Sequence, residues 1–106
     1  MTDHTPATHN EIVNFCAEIE ESYRKYYAQH YTDLSAPKVY PDKGGRKYVR
    51  IVREETHGSG RSVICFVEKA TGLIWKAAGW KTPAKNFSRG NIWTDNPFHS
   101  GSIYGL

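Results

Sequence analysis

One apolar stripe governs what the N-terminal third of this chain can become. Ile12, Cys16, Ile19, Tyr23, Tyr26 and His30 recur at spacings of four, three, four, three and four, with Tyr27 beside them. That is the period of an α-helix with one buried face. Thr8 and Glu11 stand three apart just ahead of the stripe, the spacing of a capping box. Glu18, Glu20 and Glu21 come early and Arg24 and Lys25 late, the order that suits the helix macrodipole. The stripe predicts one amphipathic helix over residues 9–30, and such a helix needs an apolar surface to cover.

The rest of the chain supplies strands. Residues 34–38 read as a connection and Val39-Tyr40 as the start of a short strand. Pro41-Asp42-Lys43-Gly44-Gly45 reads as a turn. Residues 47–53 (KYVRIVR) are rich in β-branched side chains and predict a strand, and 62–68 (SVICFVE) the clearest core strand. Between them, 54–61 reads as a loop. Residues 69–72 form a hairpin loop in which Gly72 takes a positive φ, and 73–78 (LIWKAA) return as the next strand. From Gly79 the period is lost. That stretch reads as an ordered loop with a short helical turn near Ala84, closing in an extended piece at Asn91–Trp93.

The fold expected is therefore α+β, with one long N-terminal amphipathic helix packed on a three- or four-stranded antiparallel sheet. Residues 8–94 make a single domain, and 1–7 and 95–106 are expected to be flexible tails. A length of 106 residues suits one domain and one modest core. Aromatics make up 13% of the chain, too many for a disordered one. The first ten residues hold no apolar core of a signal peptide. No apolar run approaches the ~20 residues needed to span a membrane. The chain is expected to stay soluble inside the cell that makes it.

The residues offer little for catalysis. Of the two cysteines, Cys16 falls in the helix and Cys65 in a strand, both at apolar positions, where two buried thiols are expected. Burial would raise the Cys65 pKa and blunt it as a nucleophile. The five histidines, His4, His9, His30, His57 and His99, show no metal-helix spacing, and no CxxC accompanies them. Gly44-Gly45 and the glycines at 58 and 60 do not lie between a strand and a helix, as a phosphate loop requires. No enzyme activity and no cofactor are expected.

Charge is polarised along the chain. Residues 11–21 hold four Glu and no Lys or Arg, while residues 76–89 hold Lys76, Lys81, Lys85 and Arg89 and no acid, within a net charge of +3. Trp75, Trp80 and Trp93 are interleaved with the basic run. Aromatic planes stack on bases and basic side chains neutralise phosphates. Lys76, Trp80, Lys81, Lys85 and Arg89 are thus candidate nucleic-acid contacts. Arg50 and Lys47 are in support, and Arg46 and Arg53 could extend the basic surface. Against this, Trp75 alternates with Lys76 and is the better core residue, Trp80 and Trp93 could cap the sheet, and a basic run is often only a solvated face.

The stretch from Arg61 to Lys85 (RSVICFVEKATGLIWKAAGWKTPAK), followed by Ser88 to Trp93 (SRGNIW), resembles a family of small uncharacterised bacteriophage-encoded proteins. Their shared pattern is close to RSVxxFVxxxTGxIxKAAxWxxPAK and then RGNI. A helix followed by a KYxRIV strand upstream is similar to residues 12–53. Asn86-Phe87 stands as an insertion before the Arg-Gly pair, and both chain ends are longer. The resemblance implies a phage origin and the cytoplasm of a bacterial host, and it implies no activity.

Two binding readings stay open, with a third of another kind. The first is a non-enzymatic phage accessory protein that binds nucleic acid, single-stranded DNA or RNA above duplex. The second is a protein–protein inhibitor or modulator of a host enzyme or defence complex. It would act through the acidic helix face (Glu11, Glu18, Glu21) or the aromatic loop at Trp80, since Trp, Tyr and Arg dominate interface hot spots. The third is a dimeric module that pairs through an exposed sheet edge.

Overall fold

The computed structural model describes residues 6–31, 35–42, 46–56, 60–84 and 88–93. Helix α1 (His9–His30) is followed by strands β1 (Lys38–Asp42), β2 (Tyr48–Glu54), β3 (Arg61–Glu68) and β4 (Ile74–Lys76). The strands form one antiparallel sheet in the order β1-β2-β3-β4, and α1 packs on one face of it. Residues 1–5 of the tail expected at 1–7, the tail expected at 95–106, residues 43–45 of the turn expected at 41–45 and the histidines at 4, 57 and 99 lie outside the described residues.

The helix starts where its cap predicts. The Thr8 side chain accepts from the Glu11 N–H at 3.1 Å, and the Glu11 carboxylate accepts from the Thr8 N–H at 2.9 Å. Ile12, Phe15, Cys16, Ile19, Ser22 and Tyr23 form its buried face. Phe15 was outside the predicted stripe although it stands three residues after Ile12, on the same side of the helix. The Ser22 hydroxyl is accommodated there by donating to the Glu18 carbonyl. The stripe ends before His30, which is exposed, with Tyr26 and Tyr27 half-buried. The cause is length. A helix of 22 residues spans ~33 Å at ~1.5 Å per residue, more than the ~27 Å of an eight-residue strand.

Alternation along the strands divides the sheet into two faces. Val39, Ile51, Cys65, Val67 and Ile74 point at α1 and join its stripe, with Ile92, in one core. Ile51 pairs with Cys65 but Val52 pairs with Val63, so Ile64 is an extra residue in β3, a β-bulge. Val52 and Phe66 are as deeply buried as the helix-side core, yet they stand outside it, on the face turned away from α1. Both thiols are free and buried. Burial pushes Cys16 up to about 12, with the Glu20 carboxylate adding to it, and raises Cys65 well above the usual thiol range.

Several local expectations are corrected. β1 runs through Pro41 and Asp42 and does not turn there, because on an edge strand proline can occupy a position whose N–H would face outward. Val39, two residues earlier on the same edge, donates its N–H to the Glu20 carboxylate at 2.8 Å. Of the helical turn expected near Ala84, residues 85–87 lie outside the described residues, and 83–84 are extended. Ala77 bridges Pro83, and the Ala84 N–H donates to the Lys76 carbonyl. Of the extended piece expected at 91–93, Asn91 bridges Leu73 while 92–93 bend, and the Arg89 and Ile92 N–H groups donate to the Ile74 and Gly72 carbonyls. The chain's own segment therefore lies along β4. On that side a second copy would meet this segment and not β4. Ala7, placed in a tail by its sequence, donates its N–H to the Lys69 carbonyl at 2.7 Å.

Trp93 fastens this returning segment to the start of α1. Its indole N–H donates to the Glu11 carboxylate at 2.8 Å, and its ring lies where a Cβ on Gly72 would be. Gly72 also has φ +70°, a conformation that costs ~1–2 kcal/mol for residues with a Cβ. Gly72→Ala should lower stability by about 2 kcal/mol or more in denaturant unfolding. Gly79→Ala, with open space around it, should stay within about 0.5 kcal/mol. The Glu11 carboxyl is held below its ordinary pKa by the Thr8 backbone N–H first and the Trp93 indole second. Its contribution is therefore complete above the ordinary carboxylate pKa and is lost as pH falls through the lower folded value. Thermal melts across the acid range should show a shallower pH dependence in Glu11→Gln than in the wild type.

Candidate nucleic-acid interface

Strand register places a connected group of polar and aromatic side chains on the sheet face away from α1. Asp42, Arg50 and Phe66 are cross-strand neighbours, as are Tyr40, Val52 and Val63, and Glu54 with Arg61. Between β4 and the segment beside it, residues 78–82 make a tight loop. The Ala78 and Gly79 N–H groups both donate to the Thr82 carbonyl. The loop folds back over the sheet. Arg50 Nε donates to the Trp80 carbonyl at 2.6 Å, and the Arg50 guanidinium lies 4.7 Å from the centroid of the Trp80 ring. A second guanidinium, that of Arg61, lies 5.4 Å from the same ring.

Arg50 is firmly held. It donates to Asp42 at 2.7 Å, and its side chain is only 16% exposed. Arg61 is exposed and has a longer contact, 3.4 Å to the Tyr40 hydroxyl. Tyr40 in turn donates to Glu54 at 2.6 Å. The result is a chain of contacts from Asp42 through Arg50, Trp80, Arg61 and Tyr40 to Glu54. It crosses three strands and one loop.

The predicted residues divide by position. Arg50 and Trp80 meet directly. Lys81 is exposed at the tip of the same loop. Lys47 is exposed, its ammonium 5.5 Å from the Tyr48 ring, and by alternation Tyr48 shares the face of Arg50. Lys76 is exposed but has the parity of Ile74, so it leaves β4 toward the helix side. Arg89 is half-buried in the segment along β4. Lys85 lies outside the described residues. Arg53 does not extend this surface. It sits on the helix side, 5.4 Å from the Tyr23 ring and 2.6 Å from Glu55, and Glu55 above all holds its guanidinium above the ordinary pKa.

The three tryptophans have different tasks. Trp93 is tied to Glu11, and the Trp75 indole N–H donates to Glu68 at 3.1 Å. Trp75 is half-buried on the far face beside Phe66, while Ile74 is the residue of β4 that enters the helix-side core. Trp80 is 37% exposed and meets the far face through its two arginines. Arg61 stood outside the candidate nucleic-acid contacts, although its place at the head of the motif that runs through Trp80 marks it as a residue to mutate first. Its contact with the ring depends on register and on a loop that folds back.

These features define a class, a small α+β domain with a cationic and aromatic surface on the open side of its sheet. Among the described residues, no three His, Cys, Asp or Glu side chains are grouped to hold a metal ion. No helix among them is long and apolar enough to cross a membrane. The chain belongs to a family of unknown function, DUF7717, whose model matches residues 2–100. No curated protein and no solved structure matches it.

Arg50→Ala should release the loop. Near-UV circular dichroism should lose intensity and acrylamide should quench Trp80 more strongly. Stability should fall by about 1–2 kcal/mol, the scale of a hydrogen-bonded ion pair that is only partly shielded.

Proposed function

We propose that this protein binds single-stranded nucleic acid on the sheet face away from α1, with Trp80 as the stacking surface. The observation that carries the reading is Trp80 itself, an exposed indole set on Arg50 and Arg61 with Lys81 next to it. It lies in a stretch, residues 69–94, with no acidic residue. An indole accepts any base at ~1–3 kcal/mol, and the surrounding cations serve phosphates. Lys47 lies on the same side, and Lys85 follows the loop in sequence. Lys76 and Arg89 contribute through net charge. No catalytic step and no cofactor belong to this reading. A phage accessory role in the cytoplasm of a bacterial host rests on the sequence resemblance.

A second reading has its own observation. Where α1 overruns the sheet, Tyr26 stacks on His30 with ring centroids 4.2 Å apart, and Tyr27 and Tyr31 adjoin them. Tyr31 is 43% exposed. A tyrosine cluster at a helix end with Tyr31 exposed suits a protein partner, such as a host enzyme or defence complex.

Fluorescence anisotropy of labelled single-stranded DNA, RNA and duplex DNA, at low and at physiological salt, separates the two. Binding should be tightest to a single strand and weaken steeply with salt. The double charge reversal Lys81→Glu with Lys85→Glu should abolish it. No shift of any strand at low salt would turn the search to protein partners at the Tyr26–Tyr31 end of α1.

A further inference from the structure

The two arginines on Trp80 are held very differently, and the difference suggests a division of labour that rests on the nucleic-acid reading above. Arg50 has a short bond to Asp42, another to the Trp80 carbonyl, and little exposure. It cannot leave without freeing the loop. Arg61 is exposed at the head of β3, farther from the ring, and its other described contact is the 3.4 Å one to the Tyr40 hydroxyl.

We propose that Arg61 is an exchangeable cover for Trp80: it leaves the indole for a backbone phosphate when a strand arrives, and an unpaired base takes its place on the ring. The energies permit the exchange. An exposed cation–π contact is worth ~0.5–1 kcal/mol, no more than the stacking of one base. The guanidinium gains a phosphate, to which its planar fork is well matched. A duplex has no unpaired base to offer, so the exchange favours single strands. Arg50 stays in place throughout and acts as a positioning residue for the loop.

The test uses the full chain and an oligothymidylate labelled at one end. Three signals are followed: anisotropy, the tryptophan emission assigned to Trp80 by difference from Trp80→Phe, and acrylamide quenching. Binding by the wild type should quench Trp80. Arg61→Ala should make Trp80 more accessible to acrylamide in the free protein. It should also weaken binding about fivefold and reduce the salt slope by about 0.7, the value of one single-strand phosphate contact. Arg61→Lys, which keeps the charge, should retain the salt slope. If the wild type binds the oligomer but Arg61→Ala matches it in affinity and slope, the exchange is wrong and the binding reading survives. The exchange is equally overturned if Trp80 emission does not respond while the oligomer binds. If the wild type binds no strand at low salt, the binding reading fails and takes the exchange with it.

Discussion

A single helix can cover only one face of a four-stranded sheet, and much of this structure is a response to that constraint. α1 buries Ile51, Cys65, Val67 and Ile74 from one side. Val52 and Phe66 are buried from the other, where no helix exists among the described residues. Trp75 is the cross-strand neighbour of Phe66 on that face, and the loop that carries Trp80 is tied to the same face. The loop is held by polar contacts, above all through Arg50. The fastenings of this loop are guanidinium groups. This places cations and an indole together on the outside of the molecule.

Arg50 has more than one duty. It joins β1 to β2 through Asp42 and joins both to the loop through the Trp80 carbonyl and ring. A cation engaged in this way is not a simple phosphate ligand, whatever its charge suggests. The readily available charge lies with Arg61, Lys81 and Lys47, which are exposed. The acidic partners Asp42 and Glu54 bound the surface on the β1 side.

The elements visible in the sequence were those set by local period. The α1 stripe, its Thr8–Glu11 cap and the β2 and β3 strands all depend on neighbours a few residues away. So does the positive φ at Gly72. Phe15 was equally visible and fell outside a stripe drawn too narrowly. The missed features depend on pairing between distant segments. The bulge at Ile64 is an offset between two strands and has no signature in either. Pro41 reads as a turn residue unless its strand is known to be an edge. Trp80 was singled out by its basic neighbours, and Arg50 by its strand, but their contact and the part played by Arg61 come from register. Lys76 shows the converse: it is adjacent to Trp75 in sequence, yet alternation sends it to the opposite side of the sheet.

The outer edge of β1 has one more consequence. The outward-facing N–H positions there are Pro37, Val39 and Pro41, and the only N–H among them is already given to Glu20. A foreign strand laid against this edge would find carbonyls without donors and could form only half a ladder. Main-chain pairing by β-augmentation is therefore halved on this side, and the task of recognition there shifts toward side chains, whose identities can change while the backbone frame stays the same.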